Sequence, residues 1–312
     1  MIDYFHTTSN WTSTSAISNA LSDVLFPHAC ISVIGSGGKT SLIMRIAYEQ
    51  RARDKRILIA TTTHMYIPPH YGVFEPSIDQ VKHMLDHEGI AIIGRQSAHH
   101  KISWQGDAFF KKVAPYADLI LIEADGSKRL PAKFPRADEP LLTPCTDAIL
   151  VVSGLSALGQ PAKKACHRWE LACEQLEIEP NNELLSAPRL CDLLLHGYLN
   201  PLRQRFSTLP IIPVLNQADD DCLRLIGKSM IEYCTHHVIT RHGAIHQMPR
   251  ITSHHTHSSC RQEVPSIPTP EEAERHRLIH SLQHSIAAPI QNVCVYGLVT
   301  SLDHAKCHAA YH

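Results

Sequence analysis

A glycine cluster between a short apolar run and a helical pattern constrains this chain more than any other feature. Residues 29–34 read Ala-Cys-Ile-Ser-Val-Ile, an apolar, β-branched run that indicates a buried strand. Gly35-Ser36-Gly37-Gly38 follow, and residues 40–51 then show helical periodicity. The sequence therefore predicts a strand, a tight turn and a helix, whose first amides are available to an anion.

Several further runs share the character of this strand. They are short and largely apolar, and most are separated by stretches with helical periodicity; they lie at residues 56–60, 90–93, 119–122, 148–152, 211–215 and 293–298. Helices are predicted at residues 16–25, 78–86, 168–176, 184–196, 220–234 and 270–285. Apolar strands that alternate with helices are typical of a parallel sheet covered on both faces, so we expect an α/β fold.

The residue types in the glycine cluster suit a bound triphosphate. Lys39 can reach the β and γ phosphates, and the hydroxyl of Thr40 can ligate Mg²⁺. The helix N-terminus supplies amide donors and a partial positive charge. We therefore expect Mg²⁺ and ATP or GTP to bind at Gly35, Ser36, Gly37, Gly38, Lys39, Thr40 and Ser41.

The spacing of the cluster differs from that of the standard P-loop. The pattern G-x-x-x-x-G-K-[ST] needs a glycine where this chain has Val33. The shorter Gly-Ser-Gly-Gly-Lys-Thr resembles the compact G-T-x-G-K-[ST] loop of the Mur ligase and folylpolyglutamate synthetase group, which also binds ATP. A glycine-rich turn with a surface lysine is the alternative interpretation.

A P-loop needs a carboxylate across the site to hold Mg²⁺ directly or through water. Glu123 ends the apolar run at 119–122, and Asp125 follows two residues later. Either can bind the metal or orient a water, so both are candidates for metal binding and catalysis, together with Lys39. Two acidic residues that cap a solvated strand end are the alternative.

The run at 211–215 is followed by Asn216-Gln217-Ala218-Asp219. This segment is similar to the N-K-x-D base-reading motif of GTPases, with Gln217 in place of lysine. An aspartate there can accept hydrogen bonds from the guanine ring N–H and amino group. Asn216 and Asp219 are therefore candidates for nucleotide-base recognition, and a chance Asn-Gln-Ala-Asp turn is the alternative.

Polar side chains after two other strands are candidates for binding a second, anionic substrate. Lys128, Arg129 and Lys133 follow the carboxylates, at the strand end where ligands of open α/β sheets gather. Arg168, beside His167, is a further candidate for stabilising charge on a transferred phosphoryl group. The alternative is that these cations lie on a solvated loop.

Thr61, Thr62, Thr63 and His64 follow the second strand of the predicted sheet. Their hydroxyl groups can bind a substrate oxygen or a metal-bound water, and His64 can move a proton. Thr62, Thr63 and His64 are therefore candidate substrate contacts. In an ordinary loop, the threonines would simply cap the next turn.

Composition excludes several classes of protein. The net charge of -1 leaves no basic surplus for a nucleic acid. The ten cysteines include no C-x-x-C pair, which fits a reducing cytosol. No signal peptide and no apolar run of about 18 residues is present, so we expect a cytoplasmic protein that neither binds nucleic acid nor enters a membrane.

Several of these segments together resemble the YqeC family, described as accessory proteins of selenium-dependent molybdenum hydroxylases. The similar segments are V-I-G-S-G-G-K-T-S at 33–41, A-T-T-T-H at 60–64, E-A-D-G-S-K-R-L-P-A-K at 123–133, D-E-P at 138–140, S-G-L-S-A-L-G at 153–159, His167-Arg168 and the Asn-Gln-Ala-Asp segment. The resemblance implies a P-loop NTPase-like fold and a role in maturing a selenium-containing cofactor on a molybdenum enzyme. Gln217 departs from the basic residue usual in the family.

With this resemblance, the sequence predicts a P-loop nucleotide-binding α/β domain over residues 1–247. Residues 248–312 are expected to form a His/Pro-rich loop, a helix and a strand appended to the same domain. His254, His255, His257 and Cys260 lack the paired spacing of a zinc site, so a solvated loop is favoured there.

Three functions fit the predicted site. The first is an Mg²⁺-dependent NTPase or phosphoryl transferase that assists maturation or selenium-cofactor insertion of a molybdenum hydroxylase. The second is a nucleotide-gated chaperone or binding module that holds this enzyme or its cofactor with little turnover. The third is a ligase that forms an acyl phosphate, as the Mur ligases do.

Overall fold

A mixed, mainly parallel β-sheet forms the centre of the molecule. The structure is a computed structural model that describes residues 2–5, 11–74, 77–98, 100–179, 183–238 and 297–300. Within these residues the main sheet has the strand order β2-β1-β14-β13-β11-β3-β9-β4-β7-β8-β5, with β6 also paired to β7. Its strands are β1 (Ile2–Phe5), β2 (Trp11–Thr14), β3 (Ala29–Gly35), β4 (Ile57–Thr61), β5 (His64–Tyr66), β6 (Gly72–Phe74), β7 (Ile90–Ser97), β8 (Lys101–Ser103), β9 (Leu119–Glu123), β11 (Ala148–Gly154), β13 (Ile211–Asn216) and β14 (Gly297–Thr300).

The centre of the sheet is parallel and its margins are antiparallel. β13, β11, β3, β9, β4 and β7 run in one direction, and β14 and β6 run parallel to β13 and β7. Antiparallel pairs join β1 to β14 and β2, and β8 to β7 and β5. Two short strands, β10 (Ala132–Lys133) and β12 (Cys166–His167), pair with each other outside the main sheet.

Helices cover both faces of the sheet. They are α1 (Ile17–Ala20), α2 (Lys39–Arg51), α3 (Ile78–Glu88), α4 (Asp107–Val113), α5 (Ala162–Ala165), α6 (Trp169–Gln175), α7 (Ala187–Leu194), α8 (Asn200–Arg205) and α9 (Asp221–His237). A π-helical segment, Leu195–Leu199, joins α7 to α8. None of the helices in the described ranges is long and apolar enough to cross a lipid bilayer.

Alternate residues of β3 divide between two apolar cores. Cys30 and Ile34 pack into one core with residues of α3, α6, α7 and α9. Ile31 and Val33 pack into the other with residues of α1 and α2. Side chains of a strand alternate between faces, so a strand buried on both faces reads as a continuous apolar run.

The expected α/β architecture is confirmed at this level, and the P-loop classification stays a prediction. Each predicted strand at the centre of the sheet coincides with an observed strand, but the predicted helix at 16–25 is helical only over Ile17–Ala20. The antiparallel strands β1, β2, β5 and β8 were not predicted, and neither was the short parallel strand β6. The predicted helix at 270–285 and the histidine-rich loop lie outside the described residues.

The carboxyl ends of β3, β4, β9, β11 and β13 meet at one edge because these strands are parallel. The loops that follow them contain the glycine cluster, Thr62 to His64, the Asp125 to Arg129 segment and Gln217. This edge of an open α/β sheet is where ligands usually bind.

Candidate functional site

A large cleft opens at this edge of the sheet. It has a volume of about 1300 Å³ and extends from the glycine turn and α2 to the antiparallel strands β5 and β8. Its lining includes six cationic side chains, Lys39, Lys101, Lys128, Arg129, Arg136 and Arg168, and three carboxylates, Glu123, Asp138 and Glu139. The cleft is therefore cationic although the chain as a whole carries a net charge of -1, which favours an anionic ligand.

Two glycines of the turn are required by contact with the neighbouring strand. Gly35 has φ +90°, and a Cβ there would lie 2.1 Å from the carbonyl oxygen of Val152 in β11. Gly37 has φ +74°, and its Cβ would lie 2.2 Å from the backbone nitrogen of Gly154. Both positions need glycine for the left-handed backbone and for close packing, before any ligand is considered.

The first amides of the turn are bound within the protein. Gly35 N donates to both carboxylate oxygens of Asp125 at 3.0 Å, and Ser36 N donates to the carbonyl of Val152 at 2.8 Å. Gly37 N donates to the carbonyl of Leu130 at 3.2 Å. In this conformation these three amides are not available to phosphate, which narrows the predicted anion site.

The next amides remain open to the cleft. Among the described residues, no acceptor pairs with the backbone N–H groups of Gly38, Lys39, Thr40 and Ser41. These residues line the cleft at the N-terminus of α2, a helix of 13 residues. Unpaired amides and the positive end of the helix dipole together make this the part of the turn that is suited to an anion.

Lys39 is held beneath the turn by the protein. Its side chain is buried, and its Nζ donates to the carbonyl of Gly35 at 2.7 Å. The same Nζ lies 3.3 Å from Asp125 Oδ1 and 3.9 Å from Glu123 Oε1. The ammonium group therefore lies between the two predicted carboxylates and borders the cleft.

Thr40 and Glu123 form a direct pair at the floor of the cleft. The hydroxyl of Thr40 donates to Glu123 Oε2 at 2.8 Å. Burial raises the pKa of Glu123, and the nearby Lys39 and the Thr40 hydrogen bond oppose this increase. Two of the three predicted metal ligands are thus brought together, the exposed Thr40 and the buried Glu123.

Asp125 lies away from the cleft, at the centre of a buried network. It is fully buried, and besides the amide of Gly35 it accepts hydrogen bonds from Lys133 Nζ at 3.0 Å and Tyr198 OH at 2.9 Å. Burial and the neighbouring Asp125 raise the pKa of Tyr198 well above its ordinary value. Asp125 therefore holds the glycine turn to the core, and it does not line the cleft.

Lys133 connects this network to a second carboxylate, Glu139. Lys133 Nζ lies 2.9 Å from Glu139 Oε2, and Arg168 donates to both oxygens of Glu139, at 2.5 and 2.8 Å. Burial would raise the pKa of Glu139, but the hydrogen bonds from Arg168 and Lys133 outweigh it and lower the pKa to about 2. Arg168 borders the cleft with its guanidinium group already paired.

His167 borders the cleft beside Arg168. Burial, followed by the charges of Arg168, Lys133 and Lys128, lowers the pKa of His167 to about 4. The imidazole is therefore neutral at physiological pH and can accept a proton or a hydrogen bond.

The Asn-Gln-Ala-Asp segment contacts the glycine turn rather than an open base pocket. Asn216 Nδ2 donates to the carbonyl of Gly37 at 2.8 Å, and Asn216 is buried. Gln217 borders the cleft and accepts a hydrogen bond from Ser156 at 2.6 Å. Asp219 is exposed and does not line the cleft, so base recognition by Asn216 and Asp219 stays a prediction.

The predicted substrate residues lie together along the cleft. Thr62, Thr63 and His64 form one part of its wall, and the exposed Lys128 and Arg129 form another. The hydroxyl of Thr62 is buried and has no hydrogen-bond partner among the described residues.

An aromatic residue that sequence reasoning missed lies between these walls. Tyr66 is 49% exposed, with the guanidinium carbon of Arg129 4.0 Å from its ring centroid and Lys101 Nζ 5.2 Å from it. No local pattern distinguishes Tyr66 or Lys101 in the sequence, because only the pairing of β5 with β8, which are distant in the chain, brings them to the cleft. Tyr198 was also missed, because only the tertiary structure brings it to Asp125.

Four residues of the cleft wall adopt left-handed backbone conformations without being glycine. These are Lys128 (φ 50°), Arg129 (φ 63°), Arg168 (φ 66°) and Gln217 (φ 63°). Such conformations persist only where the surroundings enforce them, and they cluster at functional sites. Their concentration here supports the assignment of the cleft as the functional site.

The side chains that line the cleft suit a metal ion only if a bound substrate and water complete its coordination. Within the described part of the chain, no three histidine, cysteine, aspartate or glutamate side chains come close enough to hold a metal ion. Mg²⁺ is commonly bound by one or two protein groups plus substrate phosphates and water. The Thr40 and Glu123 pair fits this mode of binding, and an all-protein cage does not.

The fold and the cleft define an α/β protein with a cationic cleft at one edge of the sheet, in which a glycine turn leads from a central parallel strand into a helix. Comparison with known families gives a match to the family model described as YqeC protein over residues 31–170. A protein of Escherichia coli strain K12, named uncharacterized protein YqeC, is 33% identical over 165 residues, which cover 49% of this chain and 63% of the relative. Residues 31–170 of this chain are therefore similar to the YqeC family.

The matched region contains most of the cleft. Residues 31–170 include the glycine turn, Glu123, Asp125, the cationic loop and Arg168, whereas Asn216, Gln217 and Tyr198 lie beyond it.

Proposed function

We propose that this chain binds ATP or GTP with Mg²⁺ at the N-terminus of α2, and that hydrolysis or phosphoryl transfer there assists maturation of a molybdenum hydroxylase. The observation that carries the proposal is the row of unpaired amides from Gly38 to Ser41, which opens on a cationic cleft beside Lys39. Four such donors at the N-terminus of a long helix favour a phosphate group.

The Thr40 and Glu123 pair is the proposed place of the metal. Their oxygens lie 2.8 Å apart. Two adjacent ligands of an octahedral Mg²⁺ lie about 3.0 Å apart when each bond is roughly 2.1 Å, so a separation of 2.8 Å is close to that of two ligands of one ion. Mg²⁺ would neutralise charge on the phosphates; Thr40 and Glu123 would hold it against them.

Lys39 is the proposed partner of the terminal phosphates. Its present acceptors include the carbonyl of Gly35, and its side chain already borders the cleft. A phosphate at the helix N-terminus offers a stronger acceptor than this carbonyl, since hydrogen bonds between charged groups are the stronger ones. In the complex, Lys39 then stabilises negative charge on the transferred phosphoryl group.

Lys128 and Arg129 are the proposed contacts of a second, anionic substrate. Both are exposed at the cleft, whereas Arg168 is held by Glu139. Thr62, Thr63 and His64 face the same space and would bind neutral oxygens of this substrate. Similarity to the YqeC family supports a selenium or molybdenum cofactor intermediate, or the hydroxylase that receives it, as this partner.

A nucleotide-gated binding module with little turnover is the second candidate. The amides of Gly35, Ser36 and Gly37 are bound within the protein, so fewer donors reach the phosphates than a fully open loop would supply. Calorimetric titration with ATP, GTP and CTP in Mg²⁺, together with phosphate release, separates the two candidates. Binding with turnover supports the first, and binding alone supports the second.

Two buried lysines provide a matched test of the nucleotide site. Lys39 and Lys133 both contact Asp125, but only Lys39 lines the cleft. Lys39→Met and Lys133→Met should both lower the free energy of unfolding, because each leaves a buried carboxylate with one cation fewer. Only Lys39→Met should weaken Mg²⁺–nucleotide binding in the folded fraction, by about 100-fold.

Equal binding by folded Lys39→Met and wild-type protein would exclude the proposed site. An equal loss in both variants would mean that Lys39 acts only through the stability of the turn.

A further inference from the structure

Two cysteines lie against each other at the end of β3 that is remote from the cleft. Cys30 is the second residue of β3 and is buried, and Cys145 lies in an exposed turn just before β11. Their Sγ atoms are 3.2 Å apart, although 115 positions separate them in the sequence.

The pairing of β3 with β11 fixes this arrangement. Asp147 N donates to the carbonyl of Cys30 at 2.8 Å, and Cys30 N donates to the carboxylate of Asp147 at 2.8 Å. These two hydrogen bonds hold Cys30 beside the turn that contains Cys145. The sulfurs need to approach from 3.2 Å to about 2.05 Å to form a disulfide, and Cys145 is free of the strand ladders that would resist this movement.

The surroundings also activate Cys145. The hydrogen bond with Cys30, and to a smaller degree that with Thr143, lowers the pKa of Cys145 to about 6, against a smaller opposing effect of burial. The same hydrogen bond, together with burial, raises the pKa of Cys30. The surroundings therefore favour the thiolate at Cys145, which is accessible to a reagent, and the protonated thiol at Cys30, which is shielded.

We propose that Cys145 and Cys30 are a redox-active pair that forms an intramolecular disulfide by exchange with a low-molecular-weight disulfide such as oxidised glutathione. Cys145 thiolate attacks one glutathione sulfur, the glutathione S–S bond breaks, and the first glutathione leaves as a thiolate. Cys30 then attacks Cys145 Sγ in the mixed disulfide and expels the second glutathione, while the proton of Cys30 passes to a departing thiolate. Two protein thiols are oxidised and one glutathione disulfide is reduced to two thiols.

A second pair of cysteines provides the contrast. Cys191 and Cys234 are also hydrogen-bonded to each other, but both are buried. Contact between thiols is therefore common to the two pairs, and access to solvent distinguishes them. Only the Cys30–Cys145 pair is expected to exchange.

The experiment is incubation of the reduced full chain with oxidised glutathione, acid quenching, alkylation of the remaining thiols and peptide mapping. We expect a peptide that joins Cys30 to Cys145, while Cys191 and Cys234 are alkylated as thiols after denaturation. The bridge closes a long loop across two central strands, so the oxidised protein should melt about 5 °C higher, and dithiothreitol should reverse the shift.

Three variants test the order of the two steps. Cys145→Ser should take up no glutathione and form no bridge, because Cys30 is shielded. Cys30→Ser should retain one glutathione on Cys145, because no second thiol resolves it. Cys222→Ser, which changes a partly buried cysteine of α9, should still form the bridge.

The proposal is overturned if Cys145 of the wild-type chain stays reduced, or if it pairs with a cysteine other than Cys30. A Cys30→Ser variant without bound glutathione would contradict Cys145 as the attacking thiol. No readout involves a nucleotide, so the result is independent of the function proposed for the cleft.

Discussion

Glu123 and Asp125 lie two residues apart and have different surroundings. Glu123 borders the cleft and meets the hydroxyl of Thr40, whereas Asp125 is buried among the amide of Gly35, Lys133 and Tyr198. The sequence identified both as candidate metal ligands and offered no basis for a choice. Their surroundings separate the two carboxylates: Glu123 remains the proposed metal ligand, and Asp125 supports the glycine turn.

Asp125→Asn should therefore destabilise the protein strongly. The change removes one charged partner from each of two buried lysines, Lys39 and Lys133, which costs about 3 kcal/mol or more in the free energy of unfolding. Urea denaturation measures this cost. Asp138→Asn, at an exposed carboxylate of the cleft, is the control and should change the free energy by less than about 0.5 kcal/mol. A similar small change for Asp125→Asn would contradict the supporting role.

The pKa of His167 gives a prediction for pH. Its pKa is about 4 in the folded protein against 6.5 in the unfolded chain, so the unfolded chain binds the proton more readily between these values. The free energy of unfolding therefore has its full value above pH 6.5, as far as His167 is concerned, and decreases as the pH falls towards 4. Glu139, with a pKa of about 2, acts in the same direction, but below its unfolded value of 4.5.

Substitution of His167 should make the free energy of unfolding depend less on pH between the folded and unfolded pKa values of this residue. Between pH 6.5 and 4.5, His167→Gln should lose less free energy of unfolding than the wild type, by up to about 1 kcal/mol per pH unit, a figure discounted for partial exposure. Urea titrations at several pH values measure it. His83→Gln, on the exposed face of α3, is the control; identical slopes for His167→Gln and the wild type would contradict the prediction.

At the scale of elements, the junction of β3 with α2 depends on its neighbour β11. The glycines of the turn allow the backbone of β11 to approach, and β11 in turn accepts the amide of Ser36. The local sequence predicted strand, turn and helix correctly. It did not predict that half of the turn is tied to β11 and to the loop after β9.

Two glycines with nearly equal φ separate backbone strain from steric conflict. Gly37 (φ +74°) would place a Cβ 2.2 Å from Gly154 N, whereas Gly159 (φ +75°) has nothing within 4 Å. Gly159→Ala should cost about 1–2 kcal/mol, the cost of a left-handed alanine. Gly37→Ala should cost more than about 3 kcal/mol in the free energy of unfolding, because the glycine turn and β11 must also move apart. Equal costs in urea denaturation would contradict the packing role.

At the scale of the whole molecule, the sheet is assembled from segments distant in the chain. β14 lies between β13 and β1, so residues 297–300 connect the β1–β2 hairpin to the parallel strands. Trp11 Nε1 also donates to Glu232 at 2.6 Å, and Arg224 donates to Asp3 at 2.8 Å. The hairpin is thus held by both α9 and β14.

Disruption of β14 should selectively destabilise the edge of the sheet formed by β1 and β2. Val299→Pro removes a backbone donor that a sheet-interior strand needs. We expect hydrogen exchange to accelerate at least tenfold in β1 and β2, while β3 and β9 keep their protection. Thr14→Pro, at the last residue of β2, is the control and should affect β2 alone; uniform acceleration across the sheet would contradict the prediction.

The sequence by itself determined the central strands, the helix after the glycine turn, and the residue types gathered at the cleft. These follow from local periodicity and from the rule that parallel strands end at one edge. Only the tertiary structure decided which amides of the turn are free, which carboxylate faces the cleft, and that Tyr66 and Lys101 join it. Those properties depend on contacts between segments far apart in the chain, and periodicity within a segment contains no information about them.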